Sequence, residues 1–153
     1  MKKETVKLAI DLGATRTRIF KNEELVLEEE SCVAMDTVNN RIVYVGRKAR
    51  GFHDRTYTIK WPLKPFEYSS YTVTLLLKNF LKIVVPGGIF RPRPKLSVLV
   101  VKPDYLDDWY VKEALKDYKD CELHFISSTA AAAIGLGLIT QSKNPYLCRK
   151  RNP

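Results

Sequence analysis

Apolar and polar positions along this chain switch between strand-like runs and helical spacing, and each switch marks an element. Val6 to Ile10 is an apolar run closed by Asp11-Leu12-Gly13, and Ile19-Phe20 resumes an extended pattern after a polar stretch. That order predicts strand, tight turn, strand: a hairpin with Gly-Ala-Thr-Arg-Thr at its tip. Leu25 to Leu27 predicts a third strand, followed by the acidic run Glu28-Glu29-Glu30. Cys32 to Met35 and Arg41 to Val45 are β-rich runs joined through Val38-Asn39-Asn40, a turn signal. Gly46 to Tyr57 is basic and polar without clear periodicity. The two prolines of Trp61-Pro62-Leu63-Lys64-Pro65 then exclude continuous helix and make a rigid connector.

Helical spacing takes over in the second half. Ser69-Ser70 offers an N-cap for a helix over Tyr71 to Val84, with Leu76, Phe80 and Val84 on one face, and Pro86-Gly87-Gly88 ends it. Leu96 to Val101 is a nearly continuous apolar run between Pro94 and Pro103, the pattern of a strand buried on both faces. Asp104 is placed to cap a helix to about Tyr118, whose apolar stripe is Leu106, Tyr110, Val111, Ala114, Leu115 and Tyr118. Leu123 to Ile126 predicts another strand. Ser128 to Leu138, with alanines at 130–133, predicts a small-sided helix able to pack close to a sheet. Three strands, a small β-rich insert and then α-β-α-β-α make an α/β protein, with the later strands parallel because helices cross between them.

Composition narrows the class. With 153 residues, 45% hydrophobic and 28% charged, the chain is one globular domain with core enough to need no disulfides. No apolar run approaches the roughly 20 residues of a membrane helix, and the opening Met-Lys-Lys-Glu-Thr does not read as a signal peptide. Cys32, Cys121 and Cys148 are scattered and odd in number, so reduced thiols in a cytosol are expected. With only His53 and His124 beside them, no zinc spacing arises. The net charge of +9 permits anionic partners without choosing among them. The cations lack an interleaved aromatic platform, which disfavours nucleic acid.

The hairpin carries the sharpest candidate chemistry. An Asp closing a strand, then Gly, lets bare amides approach an anion while the Asp11 carboxylate meets a metal through water. Thr15, Thr17 and the guanidinium of Arg16 would add donors to phosphate. On spacing alone a plain hairpin with a polar tip is the commoner outcome, since Asp-x-Gly turns are common. A second constellation is Gly87-Gly88-Ile89-Phe90-Arg91-Pro92-Arg93-Pro94-Lys95, where two apolar residues precede three cations. Such a loop can enter a lipid interface while its cations meet anionic headgroups, or it can cap the core with its cations solvated.

Four collinear stretches carry a family resemblance: KLAIDLGATRTRIF, EEESCVAMDTVNNRIVYVGRKA, IKWPLKPFEYSSYTVTLLLKNFL, and RPRPKLSVLVVKPDYLDDWYVKEALKDYKDCELHFISSTAAAAIGLGL. Together they resemble the first half of MreB-type bacterial actin homologues, within the superfamily of actin and the 70-kilodalton heat-shock chaperone ATPases. The resemblance implies a ribonuclease H-like actin-type domain I, a mixed five-stranded sheet flanked by helices with a small β-rich insert. It assigns residues 1–32 and 63–141 to subdomain IA, 33–62 to an insert like subdomain IB, and leaves 142–153 as a basic tail contributing four of the nine net charges. It implies ATP with Mg at a site of Asp11, Gly13, Ala14, Thr15, Arg16 and Thr17, with Lys60 near the cleft mouth, and Asp11 reaching the metal through water. It also implies membrane contact by Ile89, Phe90, Arg91, Arg93 and Lys95.

Departures from the family pattern weaken part of this. The family's second phosphate hairpin and adenosine site are absent from the sequence, so ATP and Mg binding is expected to be weak or lost. Ser128 stands where a glutamate orients the attacking water, and serine cannot take a proton there as a carboxylate would, so autonomous hydrolysis is disfavoured. Ala14 replaces a hydroxyl residue. The expected function is that of an MreB-like cytoskeletal protein of cell-shape determination, in a half-length form, cytoplasmic and peripheral at the inner membrane. It would associate with itself, about a twofold axis, or with a full-length actin-like filament. The competing readings are a non-enzymatic basic module that docks on anionic membrane or a partner protein, and a truncated gene product.

Overall fold

The hairpin forms from β1 (Thr5–Leu12) and β2 (Arg16–Lys21), antiparallel, with Leu12 opposite Thr17 at the turn. The structure, a computed structural model, describes residues 5–52, 55–87 and 94–138. β3 (Glu24–Glu30) adds to β2, and its length corrects the shorter strand expected at Leu25 to Leu27. The acidic run is strand because it pairs with Arg16 to Arg18 across the ladder, where Arg18 and Arg16 both meet the Glu28 carboxylate and opposite charge replaces apolar pairing. β4 (Val33–Asp36), β5 (Arg41–Val45), the short α1 (Arg47–Arg50) and β6 (Tyr57–Lys60) make the insert, a separate antiparallel sheet in the order β5-β4-β6.

α2 (Ser70–Val84) leads to β7 (Lys95–Lys102), which lies parallel to β1. α3 (Trp109–Leu115) leads to β8 (Cys121–Ser127), parallel to β7. The five-stranded sheet therefore runs β3-β2-β1-β7-β8, mixed in direction as expected. α3 begins later than the Asp104 cap predicts. Leu106 is buried, its amide donates to Pro103, and the Tyr105 hydroxyl donates to the Leu63 carbonyl at 2.7 Å, so these residues are held as a turn.

Alternation decides which face of the sheet is buried. Leu8, Ile10 and Leu12 of β1 and Leu96, Val98 and Val100 of β7 point into one core with Leu76, Leu77, Phe80 and Leu81 of α2 and Tyr110 of α3. Each such side chain contributes about 1.5–3 kcal/mol on burial. The opposite face is open among the described residues: Leu99 is 40% exposed, and a hollow of about 480 Å³ is lined by Lys7, Ala9, Phe20, Leu99 and His124. The strand expected to be buried on both faces is thus covered on one. α4 (Ser128–Gly135) starts where predicted but has no buried residue, contrary to the close packing read from its alanines.

Cys32 is fully buried beneath the insert and its thiol donates to the Gly46 carbonyl at 3.3 Å. Burial first, and the Glu30 charge second, push the thiol up to about 11. The fold favours the protonated thiol, so its contribution is complete below the ordinary thiol range and declines as pH rises toward 11. Urea midpoints measured from pH 8 to 11 should fall less steeply in Cys32→Ala than in the parent chain. An equally steep fall in both would show that Cys32 does not carry the effect.

Candidate functional site

The turn between β1 and β2 is tightly closed. The Gly13 amide donates to the Arg16 carbonyl at 3.1 Å, and a Cβ on Gly13 would sit 2.5 Å from that same oxygen. Only glycine fits without moving backbone. From beneath, the Ser31 hydroxyl donates to the Gly13 carbonyl at 2.7 Å and the Ser31 amide to the Thr15 carbonyl at 2.9 Å. The Thr17 and Ser31 hydroxyl oxygens lie 2.9 Å apart, both residues fully buried. Thr17 therefore braces the tip from inside, while Thr15 and Arg16 are exposed and Ala14 is half-buried. Ser31→Ala leaves the buried Thr17 hydroxyl and Gly13 carbonyl without this partner. It is expected to cost about 1–3 kcal/mol in urea unfolding, and an unchanged midpoint would remove Ser31 from the brace.

A row of charges crosses the sheet beside the tip. Register sets Asp11 opposite Arg18, and Arg18 opposite Glu28. Arg18 Nη1 lies 3.6 Å from Asp11 Oδ2, and its Nε donates to Glu28 Oε1 at 3.2 Å. Arg16 Nη1 also donates to Glu28 Oε1 at 3.2 Å. The Arg16 hydrogen bond, followed by the Arg18 charge, outweighs desolvation and holds the Glu28 carboxyl below the usual glutamate range. The rest of the acidic run is engaged too. Glu29 accepts from the Arg47 amide at 2.8 Å, and Glu30 accepts from Arg50 at 2.6 Å.

Other candidates lie apart from this row. Lys60 is exposed at the end of β6, opposite Val33 and so two residues along from the Ser31 brace. Ser128 opens α4 and its hydroxyl donates to the Lys102 carbonyl at 3.3 Å, while Ser127 caps the helix by accepting from the Ala130 amide at 3.1 Å. Lys95 begins β7, exposed and opposite Thr5. Ile89, Phe90, Arg91 and Arg93, like the 142–153 tail, lie outside the described residues.

Two site residues escaped the sequence reading. Arg18 was legible in the hairpin, since a turn centred between Ala14 and Thr15 pairs position 18 with position 11. Ser31 had no local signal, because its partners lie 14 and 18 residues away in sequence. The metal expectation fares differently from the turn. No group of three or more His, Cys, Asp or Glu side chains converges among the described residues. The one carboxylate at the tip, Asp11, already faces a guanidinium. The residues present do not fit a magnesium ion held at Asp11.

The mixed sheet with α2 and α3 on one face and this hairpin at the end of β1 define an actin-type domain I. The sequence matches the family described as MreB/Mbl protein over residues 5–147. This chain belongs to the MreB/Mbl family. It is 28% identical over 137 residues to the cell shape-determining protein Mbl of Bacillus subtilis (strain 168), covering 86% of this chain and 41% of that protein. The fold is similar to that of MreB5 of Spiroplasma citri bound to AMPPNP, with a TM-score of 0.67 and 18% identity over 88% of this chain and 42% of that one. It is also similar to MamK in a double helical filament, with a TM-score of 0.63 and 17% identity over 88% of this chain and 44% of that one. The chain thus spans less than half the length of these relatives.

Proposed function

We propose that this chain is the phosphate-binding lobe of an MreB-like cytoskeletal protein of cell-shape determination, taking ATP at the β1–β2 hairpin. The observation that carries this reading is the Gly13 turn. Its backbone is drawn so tight that no Cβ fits, and it is braced by Ser31, leaving the Ala14 to Arg16 segment and the Arg16 cation at the surface. A pre-formed loop of this kind binds an anion without first being ordered. Support also comes from relatives that are described as bound to ADP or AMPPNP and as forming a filament.

In this reading, residues 1–32 and 63–141 form the core and 33–62 the insert, with Lys60 on the hairpin side. Turnover is not part of it, because Ser128 offers a hydroxyl bonded to Lys102 in place of a carboxylate base. Assembly is with further copies or with a full-length actin-like filament. The apolar-then-basic segment at 89–95 suits an anionic membrane, which liposome co-sedimentation of the Ile89→Asp, Phe90→Asp double variant examines. Calorimetric titration of the chain with ATP, with and without magnesium, at high protein concentration tests the main reading. Saturable heat supports it, and no heat leaves a basic binding module without nucleotide.

A further inference from the structure

The open face of the sheet carries a charge arrangement that changes how a phosphate would be held at the tip. Strand alternation puts Asp11, Arg18 and Glu28 on that one face, in a line across the strands beside the turn. The Asp11 carboxylate, the group placed to hold a metal's water shell, already faces the Arg18 guanidinium at 3.6 Å. A divalent cation at Asp11 would have to settle beside the positive charge of that guanidinium. The row is also balanced: two acids, Asp11 and Glu28, meet two cations, Arg16 and Arg18.

Both guanidiniums are substantially exposed, and exposed pairs of this kind hold their partners weakly. A polyphosphate carries more negative charge than the single Glu28 carboxylate. It also matches the planar fork of arginine, which binds phosphate oxygens in pairs. Exchange of Glu28 for phosphate needs only side-chain rotation, since the backbone of the turn is already braced.

We propose that the hairpin binds the phosphates of a nucleoside di- or triphosphate without a divalent metal, with Arg18 and Arg16 supplying the positive charge. The inference rests on the nucleotide reading above and adds that a cation built into β2 replaces the ion. A free nucleotide, more negative than its metal complex, is then the preferred ligand. Asp11 acts here as a competitor for Arg18 and contributes no contact to the ligand.

The test is calorimetry of the full chain with ATP in two buffers matched for ionic strength, one with magnesium and one with EDTA. Affinity in EDTA should equal or exceed that in magnesium. Arg18→Leu should weaken binding in EDTA by at least about tenfold, the size expected for losing a charge-assisted contact. Asp11→Asn separates the two accounts by sign. It should tighten binding in EDTA by releasing Arg18, whereas a metal-holding Asp11 would make the same change weaken binding in magnesium.

Circular dichroism checks that each variant folds. Arg18→Lys, which keeps the charge in a shorter-reaching form, should retain binding in EDTA if the leucine variant does not fold. Affinity more than about threefold weaker in EDTA than in magnesium overturns the inference and leaves the nucleotide reading standing. Absence of binding in both buffers overturns the nucleotide reading and this inference with it.

Discussion

Gly13→Ala is expected to destabilise the chain by about 1–3 kcal/mol, the range for forcing an extra carbon into a packed site, and to abolish nucleotide binding. The added Cβ would sit 2.5 Å from the Arg16 carbonyl oxygen, which is backbone and cannot swing aside. Relief requires the turn to open, and opening breaks the Gly13 to Arg16 hydrogen bond of 3.1 Å. It also pulls the Gly13 carbonyl from Ser31, so the damage spreads into the buried Thr17 pair. Urea unfolding gives the stability change, and titration with ATP gives the binding change. Ala14→Thr, one residue along at a half-buried position outside the brace, should change the midpoint little. If Gly13→Ala unfolds at the parent midpoint, the turn is not as closed as its geometry requires.

Phe80→Ala is expected to cost about 3–5 kcal/mol, the usual range for deleting a buried aromatic ring. Phe80 is 1% exposed in the middle of α2, within the cluster that joins this helix to Ile10, Ile19 and Val98 of the sheet. A domain of this size is stable by only about 5–15 kcal/mol, so the loss is a large fraction of the total. Ile83→Ala, three positions on but 64% exposed, should stay within about 0.5 kcal/mol of the parent. Guanidinium or urea unfolding followed by far-ultraviolet circular dichroism distinguishes the two. Equal effects would mean that α2 does not dock through the face assigned to it.

The two substitutions sample features with different visibility in the sequence. Leu76, Phe80 and Val84 recur at helical spacing, and the helix they predict runs one residue longer at its start than expected. The hairpin was equally legible, because Asp-Leu-Gly breaks an apolar run with the residues a tight turn needs. The family resemblance rested on the same two stretches and two others, and the fold it implied is the one observed. By contrast, β6 is only four residues long, too short for the alternation of Tyr57 and Ile59 with Thr58 and Lys60 to announce it, and the charged end of β3 reads as a solvated run. Both are strands because of what lies across the ladder: β4 for Tyr57 to Lys60, and Arg16 to Arg18 for the three glutamates.

Within the site, the glycine and the polar tip were visible and the supports were not. Thr17 reads as a phosphate donor from its place in the motif, yet the odd-even alternation of β2 turns it inward to Ser31 and turns Arg18 outward to Asp11. A motif lists residue types along one strand. Which face each one takes, and which charge meets it, depends on register with two neighbouring strands.

The sequence by itself determined the elements whose period is strong, the one residue that lets the turn close, and membership of a family with this hairpin. Those are local properties, decided by steric limits within a few residues and by spacing along one helix or strand. Tertiary structure alone decided that, among the described residues, one face of the sheet is packed and the other open, that Tyr105 and Leu106 are held in a turn, and that Ser31 braces the Gly13 turn. Each of these depends on contacts between residues distant in the chain, whose energies no local pattern records.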